Sequence, residues 1–271
     1  MPELEGKTAV ITGAASGIGL GLTRACLSRG MSVMLSDVDP HTLTATVAEL
    51  ADQGGRVSGL AADVRSTAEV MAVREAALSE FGSVHLVCNN AGVGFTKPML
   101  ETRSADWDLV LDVNLRGVVN GVDAFLPLLL EQGEGHLSAT SSLSGLLGDP
   151  GLSLYNASKF AVVAIMESLG LELHEQDSGV TTSVLCPGPV ATKLAATSAM
   201  ATGVDFGEEV EGYLARGTAP NEVGELAISQ IEEGRFWLLS HPELTFELLD
   251  ARHAAMKSGQ LFVPELNWTE Q

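Results

Sequence analysis

The sequence predicts an α/β fold: a doubly wound parallel sheet in a single domain with helices on both faces. Short apolar runs rich in β-branched residues alternate with longer segments of helical periodicity along most of the chain. A glycine-rich turn joins the first apolar run to the first helical segment, and no internal repeat or low-complexity linker interrupts the alternation. Because neighbouring parallel strands need a crossover connection, this order predicts helices that cross over the sheet between strands.

The predicted elements follow in chain order. Strands are predicted at 8–12, 32–36, 57–61, 85–88, 136–141 and 181–185. Helices are predicted at 17–29, 41–53, 67–81, 104–125 and 153–173. From 190 to about 220 the sequence is rich in Ala, Thr, Ser and Gly, which we interpret as a mobile substrate flap within one domain spanning residues 1–271. We ascribe the apolar segment 236–249 to core or subunit packing.

The composition limits the classes of partner. The 15 Lys and Arg residues against 35 Asp and Glu residues give a net charge of −20, which argues against nucleic acid or an anionic membrane. The cysteines, Cys26, Cys88 and Cys186, are far apart and have no histidine at ligand spacing, so we expect a reducing compartment and no metal site. The acidic N-terminus lacks a signal peptide, and the apolar run 125–130 is too short to span a bilayer, so we expect a soluble, cytoplasmic protein.

The glycine-rich turn at 12–19 lies between the first strand and the first helix, which is the context that a dinucleotide site requires. Gly13 permits the tight turn, and Gly17 and Gly19 let the backbone approach a pyrophosphate at the helix N-terminus. We expect cofactor contacts from this turn at Gly13, Ser16, Gly17, Ile18 and Gly19.

Acidic and amide residues follow the next strands. Asp37 ends the second strand, where a carboxylate accepts hydrogen bonds from the adenosine ribose and repels a 2′-phosphate, so NAD is favoured over NADP; a plain helix N-cap is the alternative. The ends of the third and fourth strands carry further expected cofactor contacts, at Asp63, Val64, Asn90, Ala91 and Gly92. Taken alone, Asp63 is also compatible with a cap and the pair 89–90 with a turn.

Tyr155 and Lys159 lie four residues apart, on one face of a predicted helix. A phenol has a pKa near ~10 and is a poor proton-transfer group at neutral pH, and an adjacent cation shifts it toward the phenolate. Together with a cofactor site, this pair indicates an enzyme that transfers a hydride.

These motifs, in this order, resemble the short-chain dehydrogenase/reductase family of the compact, single-domain, NAD-preferring type. The resemblance covers roughly residues 6–195 and adds Asn114, Ser142 and the PGxVxT pattern at 187–192 to the features above. It implies a Rossmann-type fold and a redox reaction on a CH–OH group or its carbonyl.

The resemblance also implies roles for individual residues. Tyr155 would be the general acid/base, and Lys159 would stabilise the phenolate and hold the nicotinamide ribose. Ser142 would hydrogen-bond the substrate oxygen; Ser141 is its rival, but neighbouring strand residues point to opposite faces, so only one should reach the site. Asn114 would help a water relay connect Lys159 to solvent.

The segment after the sixth strand completes the expected cofactor contacts. By resemblance, Val190 and Thr192 would contact the carboxamide of the nicotinamide, following Pro187 and Gly188 in the same motif. A rigid strand exit at 187–189 is compatible with that role.

The expected reaction is hydride transfer between NAD(H) and a secondary alcohol or ketone. The candidate substrate wall is mainly apolar and includes the flap residues 193–214 together with Gly94, Phe95, Ser144, Leu146 and Leu152. A catalytically silent NAD-binding sensor or scaffold is the alternative, and an epimerase of the longer branch is disfavoured by its different glycine spacing. The resemblance implies a homodimer or homotetramer, with the helices at 104–125 and 153–173 at the interface.

Overall fold

The computed structural model describes residues 3–192, 194, 198 and 208–264, without the side chains of 209, 210 and 213. Its sheet has seven parallel strands in the order β3-β2-β1-β4-β5-β6-β7. The strands are β1 (Thr8–Thr12), β2 (Ser32–Asp37), β3 (Val57–Ala61), β4 (Leu86–Asn89), β5 (Gly135–Thr140), β6 (Val180–Cys186) and β7 (Trp237–Leu239). The doubly wound parallel sheet predicted from the sequence is therefore confirmed.

Helices cover both faces of this sheet. The α-helices within the described ranges are α1 (Gly17–Ser28), α2 (Pro40–Asp52), α3 (Thr67–Phe81), α4 (Ser104–Leu111), α5 (Gly117–Gln132), α6 (Ser153–Glu175), α7 (Glu208–Ala215), α8 (Pro220–Glu232) and α9 (Pro242–Ser258). One hydrophobic core lies between the sheet and α3, α5 and α6, and a second lies between the sheet and α1, α2 and α8. The predicted bounds of β1, β3 and α3 are confirmed.

The seventh strand was not predicted. The segment Trp237–Leu239 pairs in parallel with Val184–Cys186 of β6, and the side chain of Leu238 is fully buried. Three residues are too few to show an alternating pattern, so the sequence indicates only an apolar segment there. The interpretation of that part of the segment as core packing is confirmed.

The helix predicted at 104–125 is longer and is interrupted. A π-helical turn, Asp112–Arg116, joins α4 to α5, and α5 continues through Pro127 to end before Gly133, which has a φ of 72°. The whole stretch Ser104–Gln132 is long and apolar enough to cross a membrane by length and composition. Phe125 and Leu129 are nevertheless buried against the sheet, as in the core helix of a soluble protein.

Part of the predicted flap, residues 193, 195–197 and 199–207, lies outside the described residues. The described chain on either side of it meets at one parallel bridge between Val190 and Thr218. The domain bounds of 1–271 and the flap stay predictions.

The fifth strand carries polar residues in its interior. His136 is 2% exposed, and its Nδ1 and Nε2 each lie 2.8 Å from a hydroxyl of β6, Thr181 Oγ1 and Ser183 Oγ. Ser183 in turn donates to Ser138 Oγ at 3.0 Å. The buried imidazole is therefore matched by cross-strand partners.

Candidate active site

A cleft opens at the carboxyl ends of the strands, where the strand order reverses between β1 and β4. Ligands of doubly wound sheets bind at such a point. Most of the residues predicted to contact a cofactor line this cleft. They are Gly13, Ser16, Gly17, Ile18, Asp37, Asp63, Val64, Asn90, Ala91, Gly92, Tyr155, Lys159, Pro187 and Thr192.

The glycine turn forms one wall of the cleft. Gly13 and Gly17 have φ values of 63° and 53°, a region that side-chain-bearing residues rarely adopt. A Cβ on Gly13 would lie 3.0 Å from the Cα of Ala91, so the turn packs directly on the end of β4. Ser16 is the N-cap residue of α1, yet its side chain makes no capping hydrogen bond, and the first turn of α1 holds no acidic residue. The helix N-terminus can therefore receive an anion from the cleft.

Gly19 does not line the cleft. A Cβ at Gly19 would lie 2.0 Å from the carbonyl oxygen of Gly13, so this glycine permits close packing within the turn. Gly19 therefore supports the conformation of the turn, and its predicted contact with a cofactor stays a prediction.

Asp37 stands at the end of β2 and faces the same cleft. Its Oδ2 accepts from Ala15 N–H and its Oδ1 from Asp39 N–H, both at 3.1 Å. The N-cap of α2 is Asp39, which accepts from His41 N–H, so Asp37 itself is not the cap. The two backbone donors fix the carboxylate at the edge of the cleft and leave further lone pairs free to accept hydrogen bonds.

Asp63 is held by a neighbour that the sequence argument did not consider. Its Oδ2 accepts from Arg65 Nε at 2.8 Å and from Arg65 Nη2 at 2.5 Å, and its Oδ1 accepts from Arg65 Nε at 3.0 Å. This hydrogen bonding lowers the pKa of Asp63. Arg65 also lines the cleft, so the end of β3 presents an ion pair to it rather than a lone carboxylate.

Asn90 braces the strand ends. Its Nδ2 donates to the carbonyl oxygen of Thr12 at 3.0 Å, and its Oδ1 accepts from Thr140 Oγ1 at 3.1 Å. Thr12 Oγ1 accepts from the backbone N–H groups of Asn90 and Ala91. The side chain thus ties β1, β4 and β5 together where they border the cleft.

Tyr155, Lys159 and Ser142 come together at the N-terminal end of α6. The Ser142 hydroxyl lies beside the Tyr155 phenol. Lys159 is 3% exposed; its Nζ lies 5.6 Å from the centroid of the Tyr155 ring and donates to the carbonyl oxygen of Thr140 at 2.9 Å. Ser141 instead donates to the carbonyl oxygen of Lys159 at 2.8 Å, so its hydroxyl points away from the phenol.

Burial sets the direction of the pKa shifts of Tyr155 and Lys159, and the expected effect of Lys159 on the phenol stays a prediction. Burial dominates and raises the pKa of Tyr155 to about 12, while the neighbouring Ser142 hydroxyl acts in the opposite direction. Burial also lowers the pKa of Lys159 to about 8, against the opposing influence of Cys186. The ammonium is engaged by the carbonyl of Thr140 and not by the phenol oxygen.

Asn114 lies on the π-helical turn and is fully buried. Its Oδ1 accepts from Val93 N–H and its Nδ2 donates to the Val93 carbonyl, both at 2.8 Å. Nδ2 also donates to Ser158 Oγ at 3.0 Å, which joins the turn to α6. These contacts give Asn114 a structural part in the site, and its part in a water relay stays a prediction.

The chain leaving β6 only partly faces the cleft. Pro187 and Thr192 line it, and a Cβ on Gly17 would lie 3.4 Å from the side chain of Thr192. Gly188 packs behind this wall against His241, and the side chain of Val190 is 4% exposed within the core beside α1 and α8. Neither Gly188 nor Val190 lines the cleft, so their predicted contacts with a cofactor stay predictions.

Sequence reasoning missed several residues of the cleft and misplaced one. The additional lining residues are Val38, Ala62, Arg65, Val93, Leu109, Val113, Thr140 and Ser141, whereas Leu194, which also lines the cleft, belongs to the flap residues expected in the substrate wall. Leu109 and Val113 belong to the helix over the cleft, and their apolar spacing gave only a helix signal. Phe95, expected in the substrate wall, is 3% exposed and packs with Val110 and Leu154 in a small separate core.

The chain matches a known protein family over most of its length. The sequence profile of the family described as short chain dehydrogenase matches residues 7–202. The chain belongs to the short-chain dehydrogenase family. The family resemblance that the motifs indicated is thereby confirmed, as is the assignment to the oxidoreductases.

Relatives within this family cover most of the chain. Oxidoreductase UcpA of Escherichia coli is 35% identical over 234 residues, which are 84% of this chain and 88% of UcpA. The 1-deoxy-11-beta-hydroxypentalenate dehydrogenase of Streptomyces exfoliatus is 34% identical over 253 residues, 92% of this chain and 88% of that enzyme. A short-chain dehydrogenase/reductase from Burkholderia phymatum, solved in complex with NAD, superposes with a TM-score of 0.92 at 36% identity and covers 98% of this chain and 100% of its own.

Proposed function

We propose that this short-chain dehydrogenase transfers a hydride between NAD(H) and a secondary alcohol or ketone, with Tyr155 as the general acid/base. The observation that carries the proposal is the pairing of Tyr155 with buried Lys159 in the cleft that also contains the glycine turn, with Ser142 beside the phenol. It supplies a proton-transfer group and a second donor that can bind one substrate oxygen.

The cleft fits a dinucleotide at two separate points. The uncapped N-terminus of α1, approached over side-chain-free Gly13 and Gly17, suits a pyrophosphate. The fixed carboxylate of Asp37 suits the two hydroxyls of an adenosine ribose and repels a 2′-phosphate. The similar Burkholderia phymatum protein was solved with NAD, which supports the choice of NAD over NADP.

The residues of the site divide the work of the reaction. When bound, the nicotinamide supplies or accepts the hydride at its C4. In reduction Tyr155 gives its proton to the carbonyl oxygen as the hydride reaches the carbonyl carbon; in oxidation it takes that proton back. Ser142 donates a hydrogen bond to the same oxygen and stabilises its developing charge. Lys159, fixed by Thr140, contributes positive charge beside the phenol and a donor for the nicotinamide ribose.

The substrate is proposed to be apolar. The cleft is walled by Val93, Leu109, Val113 and Leu194, whose side chains favour contact with a hydrocarbon skeleton. The similar Streptomyces exfoliatus enzyme is named for a hydroxypentalenate, which supports a hydroxylated substrate.

Assembly and location are proposals of the same kind. The described outer surfaces of α5 and α6 carry the exposed side chains of Leu130 and Leu171, which support a homodimer or homotetramer through these helices. The free, buried thiols of Cys26, Cys88 and Cys186 are compatible with a reducing cytoplasm. Size-exclusion chromatography with light scattering tests the assembly: a monomer at all concentrations would contradict it.

Spectrophotometric turnover tests the function. NAD(H) and NADP(H) are compared at 340 nm with a panel of apolar secondary alcohols and ketones, for the native chain and for Tyr155→Phe. We expect turnover that prefers NAD(H) and a loss of about 10²–10⁴-fold in the variant, because general acid/base catalysis contributes a factor of this order. Tight NADH binding without any turnover would favour the silent sensor instead.

A further inference from the structure

The junction between β7 and α9 contacts the back of the proposed cofactor site. A Cβ placed on Gly188 would lie 2.7 Å from Nδ1 of His241, so the imidazole packs directly on the backbone of the chain leaving β6. Ser240 Oγ lies 2.7 Å from the same nitrogen and accepts a hydrogen bond from Gly188 N–H at 3.1 Å. Gly188 is therefore contacted by both the ring and its serine neighbour.

The other ring nitrogen reaches the chain that returns toward α8. Nε2 of His241 lies 3.0 Å from Thr218 Oγ1. Thr218 N–H donates to the carbonyl oxygen of Pro189, and Ala191 N–H donates to the carbonyl oxygen of Thr218, both at 3.0 Å. One imidazole thus connects both sides of the bridge at which the two chain segments meet.

Helix capping does not explain this arrangement. His241 is the N-cap residue of α9, but its side chain makes no capping hydrogen bond. Its backbone carbonyl performs the local task, accepting from Thr245 N–H at 2.9 Å and from Thr245 Oγ1 at 2.7 Å. Burial lowers the pKa of His241, so the ring is neutral, with one nitrogen to donate and one to accept.

We propose that His241 is a positioning residue for the nicotinamide end of the cofactor site, an inference that rests on the proposed function. Pro187 and Thr192 line the cleft, whereas Gly188 between them faces His241. Fixing Gly188 and Thr218 from behind fixes the backbone that carries Pro187 and Thr192. Loss of the ring allows this backbone to shift, and the site then holds the cofactor less tightly.

The test measures NADH affinity and steady-state kinetics in His241→Ala, His241→Gln and Thr218→Val, with His253→Ala on the exposed side of α9 as the matched control. We expect His241→Ala to raise the Kd and KM for NADH by about three- to tenfold, because one or two hydrogen bonds are lost, and to change kcat at saturating NADH by less than about twofold. Thr218→Val should reproduce part of this rise. His241→Gln should restore part of the affinity, and His253→Ala should match the native chain.

Thermal midpoints accompany each measurement, so that loss of the fold is recognised. If His241→Ala does not fold, the NADH affinity of Thr218→Val, which removes a single hydroxyl, decides the test. Native NADH affinity in folded His241→Ala or in folded Thr218→Val overturns the inference, as does a fall in kcat without a rise in Kd. Native protein that binds no NADH overturns the proposed function itself and the inference with it, whereas native binding with unaltered variants overturns the inference alone.

Discussion

At the scale of single residues, Asp37 and Asp39 offer a matched test of cofactor choice. Asp37 faces the cleft, whereas Asp39 caps α2. Asp37→Ser removes the charge that repels a 2′-phosphate, so we expect the preference for NAD(H) over NADP(H) in kcat/KM to fall by about tenfold or more. Asp39→Ser removes the same charge and keeps a good N-cap residue, so its preference should stay native. An equal shift in both variants would show that general surface charge, not the position of Asp37, sets the preference.

His136 predicts a pH dependence of stability. Burial lowers its pKa from 6.5 to about 3, so the ring stays neutral in the folded chain while the unfolded chain binds a proton below pH 6.5. The contribution of the neutral ring to the free energy of unfolding is complete above pH 6.5. It is lost as the pH falls toward 3, at up to about 1.4 kcal/mol per pH unit. Urea unfolding at pH 7 and pH 5 measures it. In His136→Gln the free energy of unfolding should change less between pH 7 and pH 5, whereas His174→Gln, at an exposed position, should keep the native change. A native change in His136→Gln would contradict the role of the buried ring.

Residues with local signals were predictable, and residues defined by tertiary contacts were not. Asp37 and the Tyr155–Lys159 pair follow from position at a strand end and from helical spacing. Which of Ser141 and Ser142 faces Tyr155 depends on a tertiary contact. The hydroxyl of Ser141 donates its hydrogen bond to the backbone carbonyl of Lys159 in α6 and is thereby engaged. The partners of Asn114 lie 21 and 44 residues away in sequence, and no local pattern encodes them.

At the scale of elements, α1 and α8 cross at two glycines. A Cβ on Gly224 would lie 2.2 Å from the carbonyl carbon of Gly21, so the helix backbones are in contact. Gly224→Ala should therefore lower the free energy of unfolding by about 1–3 kcal/mol through overpacking, despite the better helix propensity of alanine.

Gly212 in α7 is the matched control for that substitution. A Cβ there would lie 3.9 Å from Arg216 Nη1, its nearest neighbour among the described residues. Gly212→Ala should leave stability unchanged or raise it by up to about 1 kcal/mol. Chemical denaturation of both variants measures the difference; equal stability of the two would contradict close packing of α1 on α8.

Elements with strong periodicity were predictable, and irregular ones were not. The strands and helices up to 81 carry clear alternation or helical spacing, and their bounds differ from the predicted ones by a residue or two. The π-helical turn Asp112–Arg116 keeps helical spacing on both sides and so gives no sequence signal. The strand Trp237–Leu239 is specified by its pairing with β6 rather than by its own pattern.

At the scale of the whole molecule, the net charge of −20 makes self-repulsion a destabilising term. Ion pairs such as Arg29 with Glu225 and Glu232 offset it locally between α1 and α8. We expect the thermal midpoint to rise as NaCl is increased from about 0.05 to about 0.5 M, because salt screens the repulsion between exposed carboxylates. NaCl is chosen over sulfate, which also stabilises by exclusion from the surface. A falling midpoint would mean that ion pairs outweigh the repulsion.

The central claim, hydride transfer assisted by Tyr155, is tested most directly by following an isotope. NADH deuterated at the transferable position of nicotinamide C4 is incubated with the best ketone of the panel, and the product is analysed by mass spectrometry and NMR. We expect deuterium on the carbinol carbon with the native chain. In Tyr155→Phe we expect transfer slowed by about 10²–10⁴-fold at retained NADH affinity. Product without deuterium, or native transfer in Tyr155→Phe, would contradict it.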